Sequence, residues 1–159
     1  MEISQNGINL IKKYEGCRLD AYLCPSNVWT IGYGHTGSDV CKGRKITQAE
    51  ADKLLKNDLL VHSNNVNKLV KVKLNQNQFD ALVSLEFNIG YGNFCSSTIL
   101  KLINQGKFKE AGNRFLFENP NAKTPEEKYK GCFVFDNRKK VLNGLVKRRA
   151  DEKTLFFKV

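Results

Sequence analysis

Glu15, Cys24 and Thr30 are the side chains of this 159-residue chain whose types and spacing suggest chemistry. Eight residues separate the glutamate from the cysteine, and five separate the cysteine from the threonine. A carboxyl held protonated can give its proton to a leaving oxygen, and a strand threonine that faces the same cleft can bind a water. The stretch that carries them, from Tyr14 to Thr36, is rich in glycine, aromatics and turn formers. Glu15 falls where an apolar helical pattern stops. A helix C-terminus carries partial negative charge, so an acid placed there is favoured to keep its proton. A positioned general acid contributes roughly 100- to 10,000-fold in rate. Cys24 is the weaker group, because an ordinary thiol is only about 3 % ionised at pH 7. Asp20, the carboxylate nearest in sequence, lies about 13 Å from Cys24 along an extended strand. His35 follows Gly32-Tyr33-Gly34 and is expected to pair with Glu15 or to shape its site.

The elements that must hold these residues follow from local signals. Ser4 is placed to N-cap a first helix, whose apolar face carries Ile8, Ile11 and Tyr14 and which ends at Glu15-Gly16. Three short strands are expected near 17–24, 29–35 and 43–46, forming a small antiparallel sheet. Thr47 and Glu50 make a capping box, and the helix behind it runs to about Leu69, long enough to connect two lobes. Asn75 to Gln78 starts another helix, which Gly90-Tyr91-Gly92-Asn93 breaks. Ser96 or Ser97 caps the next, Gly106 stops it, and a short helix follows over 107–117. Pro120 and Pro125 exclude a continuous helix over 118–136. A last helix runs from Val141 to Thr154, with Leu155-Phe156-Phe157 expected in the core. The pattern predicts an α+β, mostly helical chain: a small α+β N-terminal lobe, a long connecting helix and a helical C-terminal lobe, with a ligand cleft between them.

Charge and cysteine content limit the function classes. Twenty-six basic residues against 16 acidic give a net charge of +10, which calls for an anionic partner. The basic residues are scattered, with short clusters at Arg138–Lys140 and Lys147–Arg149. A nucleic-acid binder concentrates them on one element, so nucleic acid is not the expected partner. Five cysteines without a CxxC pair, and two histidines (His35 and His62), leave too few ligands for a metal site. No metal and no cofactor is implied. The N-terminus lacks a basic region followed by an apolar one, and no stretch approaches 18 apolar residues, so neither a signal peptide nor stable membrane insertion is expected.

The segment around Glu15, Cys24 and Thr30, with its TIGYGHT strand at 30–36, resembles the active-site region of phage-type lysozymes, the endolysins of tailed bacteriophages. QFDALVSLEFNIGYGNF at 78–94, STILKLINQGKF at 97–108 and GLVKRRADEKTLF at 144–156 resemble that family's later helices. The resemblance covers most of 8–117 and 141–157, while 118–140 is longer than the usual connection. It implies one lysozyme-like domain over 1–159, with a small lobe of about 12–60 and a larger one of 1–11 plus 61–159. It implies hydrolysis of the β-1,4 bond between N-acetylmuramic acid and N-acetylglucosamine, with inversion. Carried over, Glu15 is the proton donor, Cys24 takes the second catalytic position, where many members have Asp, and Thr30 holds the attacking water. Tyr33, His35, Phe87 and Asn88 are the implied substrate contacts. The implied partners are peptidoglycan glycan strands and the anionic cell envelope. The enzyme is expected to be a monomer, made in the host cytoplasm, released by a holin-type protein and acting at the peptidoglycan of the periplasm. A lytic transglycosylase and a non-catalytic peptidoglycan-binding module are the alternatives.

Overall fold

A computed structural model describes residues 1–158 of the chain. Helix α1 (Gln5–Glu15) begins at Ser4, whose side chain accepts from the Asn6 N–H, and buries Ile8 and Ile11. Gly16 ends it with φ of 67°, a left-handed conformation that suits glycine, and so turns the chain into the sheet directly behind Glu15.

The sheet has three antiparallel strands in the order β1 (Arg18–Leu23), β2 (Trp29–Gly32) and β3 (His35–Thr36). Strand β2 pairs Thr30 with Thr36 and Ile31 with His35 across a tight turn that needs φ of 94° at Gly34. The single strand expected over 29–35 is therefore two strands and a turn. The strand expected at 43–46 is reduced to a bridge between Lys45 and Asp20, flanked by bonds from Ala21 N–H to Arg44 C=O and from Ile46 N–H to Leu19 C=O. A two-residue β3 beside a glycine turn takes the third place because ladder bonds form where the turn brings the chain back.

Helix α2 (Gln48–Leu69) starts at the full Thr47–Glu50 capping box and runs for 22 residues. Its first turns carry Ala51 and Leu55 against Ile31 and Ile46 of the sheet region, in the same core cluster that continues into the helices beyond. Helix α3 (Gln76–Ile89) has a second capping box, Asn75 with Gln78, and all eight residues from Phe79 to Glu86 are buried. A helix buried on every side is the centre of its lobe. Gly90 kinks the chain but does not open a loop: α4 (Tyr91–Cys95) follows at once. Ser97, not Ser96, caps α5 (Thr98–Asn104) by accepting from the Leu100 N–H, and α6 (Phe108–Phe115) follows.

Residues 118–142 hold one turn of helix, α7 (Pro125–Lys128), and a bridge between Phe135 and Val141. Helix α8 (Asn143–Phe157) packs against α1, α3 and α6. Phe156 enters the core as expected, whereas Phe157 remains exposed. Of the short basic cluster at 147–149, Arg148 and Arg149 are buried. Both turn toward Glu152, the carboxylate one turn further along α8. Among the described residues, no helix is long and apolar enough to cross a membrane.

Candidate active site

Glu15 lies in the wall of an open cleft of ≈ 390 Å³ lined by Glu15, Tyr33, Gly34, Thr36, Asp58, Val61, His62 and Phe87. The turn between β2 and β3 supplies one wall, α2 the floor, and α3 the far edge through Phe87. The end of α1 brings in the acid. Three larger hollows elsewhere on the surface, one by Met1, one by Tyr129 and one by Phe117, contain none of the residues whose types and spacing suggest chemistry.

The seat of Glu15 was not visible in the sequence. Arg148 Nη1 lies 2.5 Å from its Oε1, and Arg148 is itself buried. The same guanidinium donates through Nε to Glu152 Oε1 at 3.2 Å and through Nη2 to the Ser84 carbonyl at 3.3 Å. Glu152 is fully buried, accepts from the Ser84 hydroxyl at 2.7 Å, and pairs with Arg149 at 2.7 Å. Glu15 is thus fixed from two directions, by the end of α1 and by a buried network on α3 and α8. Its side chain keeps 23 % exposure and lines the cleft.

Cys24 and Thr30 come together on the adjoining hairpin, outside the eight lining residues. Pro25 and Ser26 form a turn closed by the Asn27 N–H on the Cys24 carbonyl at 2.8 Å, with Asn27 left-handed at φ of 63°. That loop folds backbone N–H groups over the sulfur. The Val28 N–H, assisted by that of Ser26 and by the Thr30 hydroxyl, pulls the Cys24 thiol below its ordinary range against a smaller opposing effect of burial. The loop thus favours the thiolate of Cys24 over that of an ordinary thiol. Thr30 is 4 % exposed and donates to the Val28 carbonyl at 3.0 Å. Asp20 does not take the place of Cys24: it faces solvent and pairs with Lys45 at 3.0 Å.

The other expected contacts divide. Tyr33 and Phe87 line the cleft. Tyr33 takes a bond from Gln48 Nε2 at 3.0 Å, and the Lys12 ammonium stands over its ring at 5.3 Å. His35 does not pair with Glu15. Its Nδ1 lies 2.9 Å from Asp58 and its Nε2 3.4 Å from Asp39, so it acts on the cleft through Asp58. Asn88 is half-buried at the end of α3 and is not among the lining residues. The sequence reading also missed His62, which lines the cleft one helical turn after Asp58. The i, i+4 spacing of those two residues was the available signal. All five cysteines are free thiols, and among the described residues no group of His, Cys, Asp and Glu is arranged to hold a metal ion.

A helix-end glutamate facing a small antiparallel sheet across a cleft, with a long helix leading to a helical body, defines a lysozyme-class fold. The chain belongs to the phage lysozyme family, whose model matches residues 12–152. It is 46 % identical over 158 residues to the endolysin of Bacillus phage B103, covering 98 % of this chain and 54 % of that one. It is 42 % identical over 156 residues to the endolysin of Acyrthosiphon pisum secondary endosymbiont phage 1, covering 98 % of each. The muramidase domain of SpmX from Asticaccaulis excentricus superposes with a TM-score of 0.80 at 40 % identity over 99 % of both chains. The chain spans about half the length of the Bacillus phage relatives it matches. The expected family and the expected mostly helical fold with a small sheet are both borne out.

Proposed function

We propose that the chain is a muramidase of the endolysin type, hydrolysing the β-1,4 bond between N-acetylmuramic acid and N-acetylglucosamine in peptidoglycan. The observation that carries the reading is the seat of Glu15: a carboxyl clamped by buried Arg148 with its free side in the wall of an open cleft. Glu15 gives its proton to the glycosidic oxygen as the bond from that oxygen to C1 breaks. A water attacks C1 from the opposite face and loses its proton to the Cys24 thiolate, with Thr30 holding the water. Single displacement of this kind inverts the anomeric centre. Tyr33 and Phe87 give the sugar rings their apolar contacts.

The same reading covers partners and place. The +10 charge draws the protein to the anionic envelope, an attraction that salt weakens. The protein acts as a monomer, is made in the host cytoplasm and reaches the periplasmic peptidoglycan through a holin-type pore. Its two lobes are divided at about residues 12 and 60.

The test is reducing-end release from purified peptidoglycan, beside clearing of chloroform-treated Gram-negative cells. Glu15→Gln is expected to lose at least about 100-fold, the lower range for a general acid, and Cys24→Ala to lose less. Unchanged activity in Glu15→Gln would end the catalytic reading. A 1,6-anhydro product in place of a reducing end would assign a lytic transglycosylase.

A further inference from the structure

The geometry points to His62 as a substrate-contacting residue that reads the N-acetyl group of the bound glycan, a role resting on the muramidase reading above. His62 reaches the cleft from α2, and its side chain is 25 % exposed there. Its orientation is fixed from behind. Nδ1 is bonded to the carboxylate of Glu86, which is fully buried on α3, and the second oxygen of Glu86 accepts from Asn65 Nδ2 at 2.8 Å. The ring also stands edge-on to Phe87, with centroids 4.8 Å apart and planes at 64°.

A surface histidine held only for packing has no need of a buried carboxylate and an amide to aim it. This one is aimed so that its second nitrogen, Nε2, has no hydrogen-bond partner among the described residues. The rest of the lining offers carboxylates at Glu15 and Asp58 and hydroxyls at Tyr33 and Thr36, so His62 supplies its ring nitrogen. An acetamide carries a polar N–H, a polar C=O and an apolar methyl. Nε2 accepts from the N–H in the neutral imidazole and donates to the C=O in the imidazolium, and both pairings satisfy the site. Phe87, in contact with the imidazole, receives the methyl. A hydroxyl at the same sugar position offers no methyl and a shorter reach.

Two experiments test this. His62→Asn keeps an amide N–H where Nδ1 meets Glu86 and removes Nε2. On purified peptidoglycan it is expected to raise KM about tenfold, the value of one hydrogen bond in a desolvated site, with kcat changed less than about threefold. A purely structural His62 would leave KM unmoved in this variant, and that result overturns the inference. The second experiment needs no change at His62. In the full chain carrying Glu15→Gln, the ¹⁵N resonance of His62 Nε2 is expected to shift on adding N-acetylglucosamine tetramer and to stay in place with glucose tetramer. Equal shifts with both sugars, or a still His62 while Phe87 responds, overturn it. Absence of reducing-end release by the unsubstituted protein is a different failure, that of the muramidase reading itself.

Discussion

Removing Arg148 tests whether the buried network seats the acid. Arg148→Met keeps most of the side-chain stem and deletes the guanidinium. Breaking a buried ion pair from one side costs about 3–5 kcal/mol, because the other partner is left charged and dry. Two observations place this case at the low end. Glu15 is 23 % exposed, so water takes over part of its lost partner. Glu152 retains Arg149 and the Ser84 hydroxyl. Burial nonetheless pushes the Glu152 carboxyl up against the pull of Arg149 and Arg148, and pushes the Arg149 guanidinium down. The network is therefore already working against desolvation and tolerates a missing partner poorly. The expected loss is about 3 kcal/mol by urea unfolding, which for a domain of this size is a fall of roughly 6–12 °C in Tm. Glu15, freed on one side, should also lose at least about tenfold in kcat, since misplacing a reacting group by an ångström can cost about 100-fold. A stability loss below about 1 kcal/mol, or an unchanged kcat in a folded variant, would refute the argument that Arg148 seats the acid.

Other perturbations have equally definite signs. A base works when deprotonated, so activity should rise with pH through the Cys24 thiol, on a limb below the ordinary thiol range because the Val28 N–H leads in stabilising the thiolate; Cys24→Asp should move that limb into the carboxylate range, and a pH–rate profile with the limb unmoved would refute the base assignment. Burial opposes the Asp151 charge, but Lys13 at 2.6 Å and the Tyr14 hydroxyl at 2.5 Å overcome it and hold its carboxyl below the usual range. That contribution is present above the unfolded-state value and is lost as pH falls through the folded one, so Asp151→Asn should lower Tm near pH 7 and leave it unchanged near pH 2. In Gly112→Ala the new methyl runs into the Phe157 ring and reaches 2.9 Å from Phe156 Cδ1; overpacking of about 1–3 kcal/mol outweighs the helix gain of about 1 kcal/mol, so Tm should fall, and a rise would show that exposed Phe157 swings aside.

What the sequence revealed was what short-range chemistry decides. The Ser4 cap and the Thr47–Glu50 box are each set by bonds within three residues, and the structure has both. The proposed roles of Glu15, Cys24 and Thr30 rest on their spacing within one short segment. What escaped depends on partners far along the chain. His35 meets Asp58 across 23 positions, His62 meets Glu86 across 24, and Arg148 meets Glu15 across 133. A Lys-Arg-Arg run looks like solvated surface until the fold decides which members face inward. The spacing from Arg148 and Arg149 to Glu152, four and three residues, was the one local hint of a buried cluster. The third strand was misplaced because ladder pairing is set by where a turn returns the chain, not by the composition of the strand.

The two sides of the proposed site therefore depend on the fold in different ways. Cys24 and Thr30 are set by one hairpin: Pro25, left-handed Asn27 and two bonds between Cys24 and the loop make the thiol environment locally. Glu15 has no complete environment until α8 docks on α3 and delivers Arg148 through Ser84 and Glu152. A substitution in the hairpin can change the base and leave the acid seated. A substitution that loosens α8 disturbs the acid while the hairpin keeps its shape. The acid is thereby coupled to global folding, and the base to a small sheet whose first strand is mostly exposed. Local opening of the sheet should cost less than opening of α3, so the base is the part of the site lost first under mild denaturation. Amide exchange that protects the β1 and β2 N–H groups as strongly as those of α3 would contradict that order.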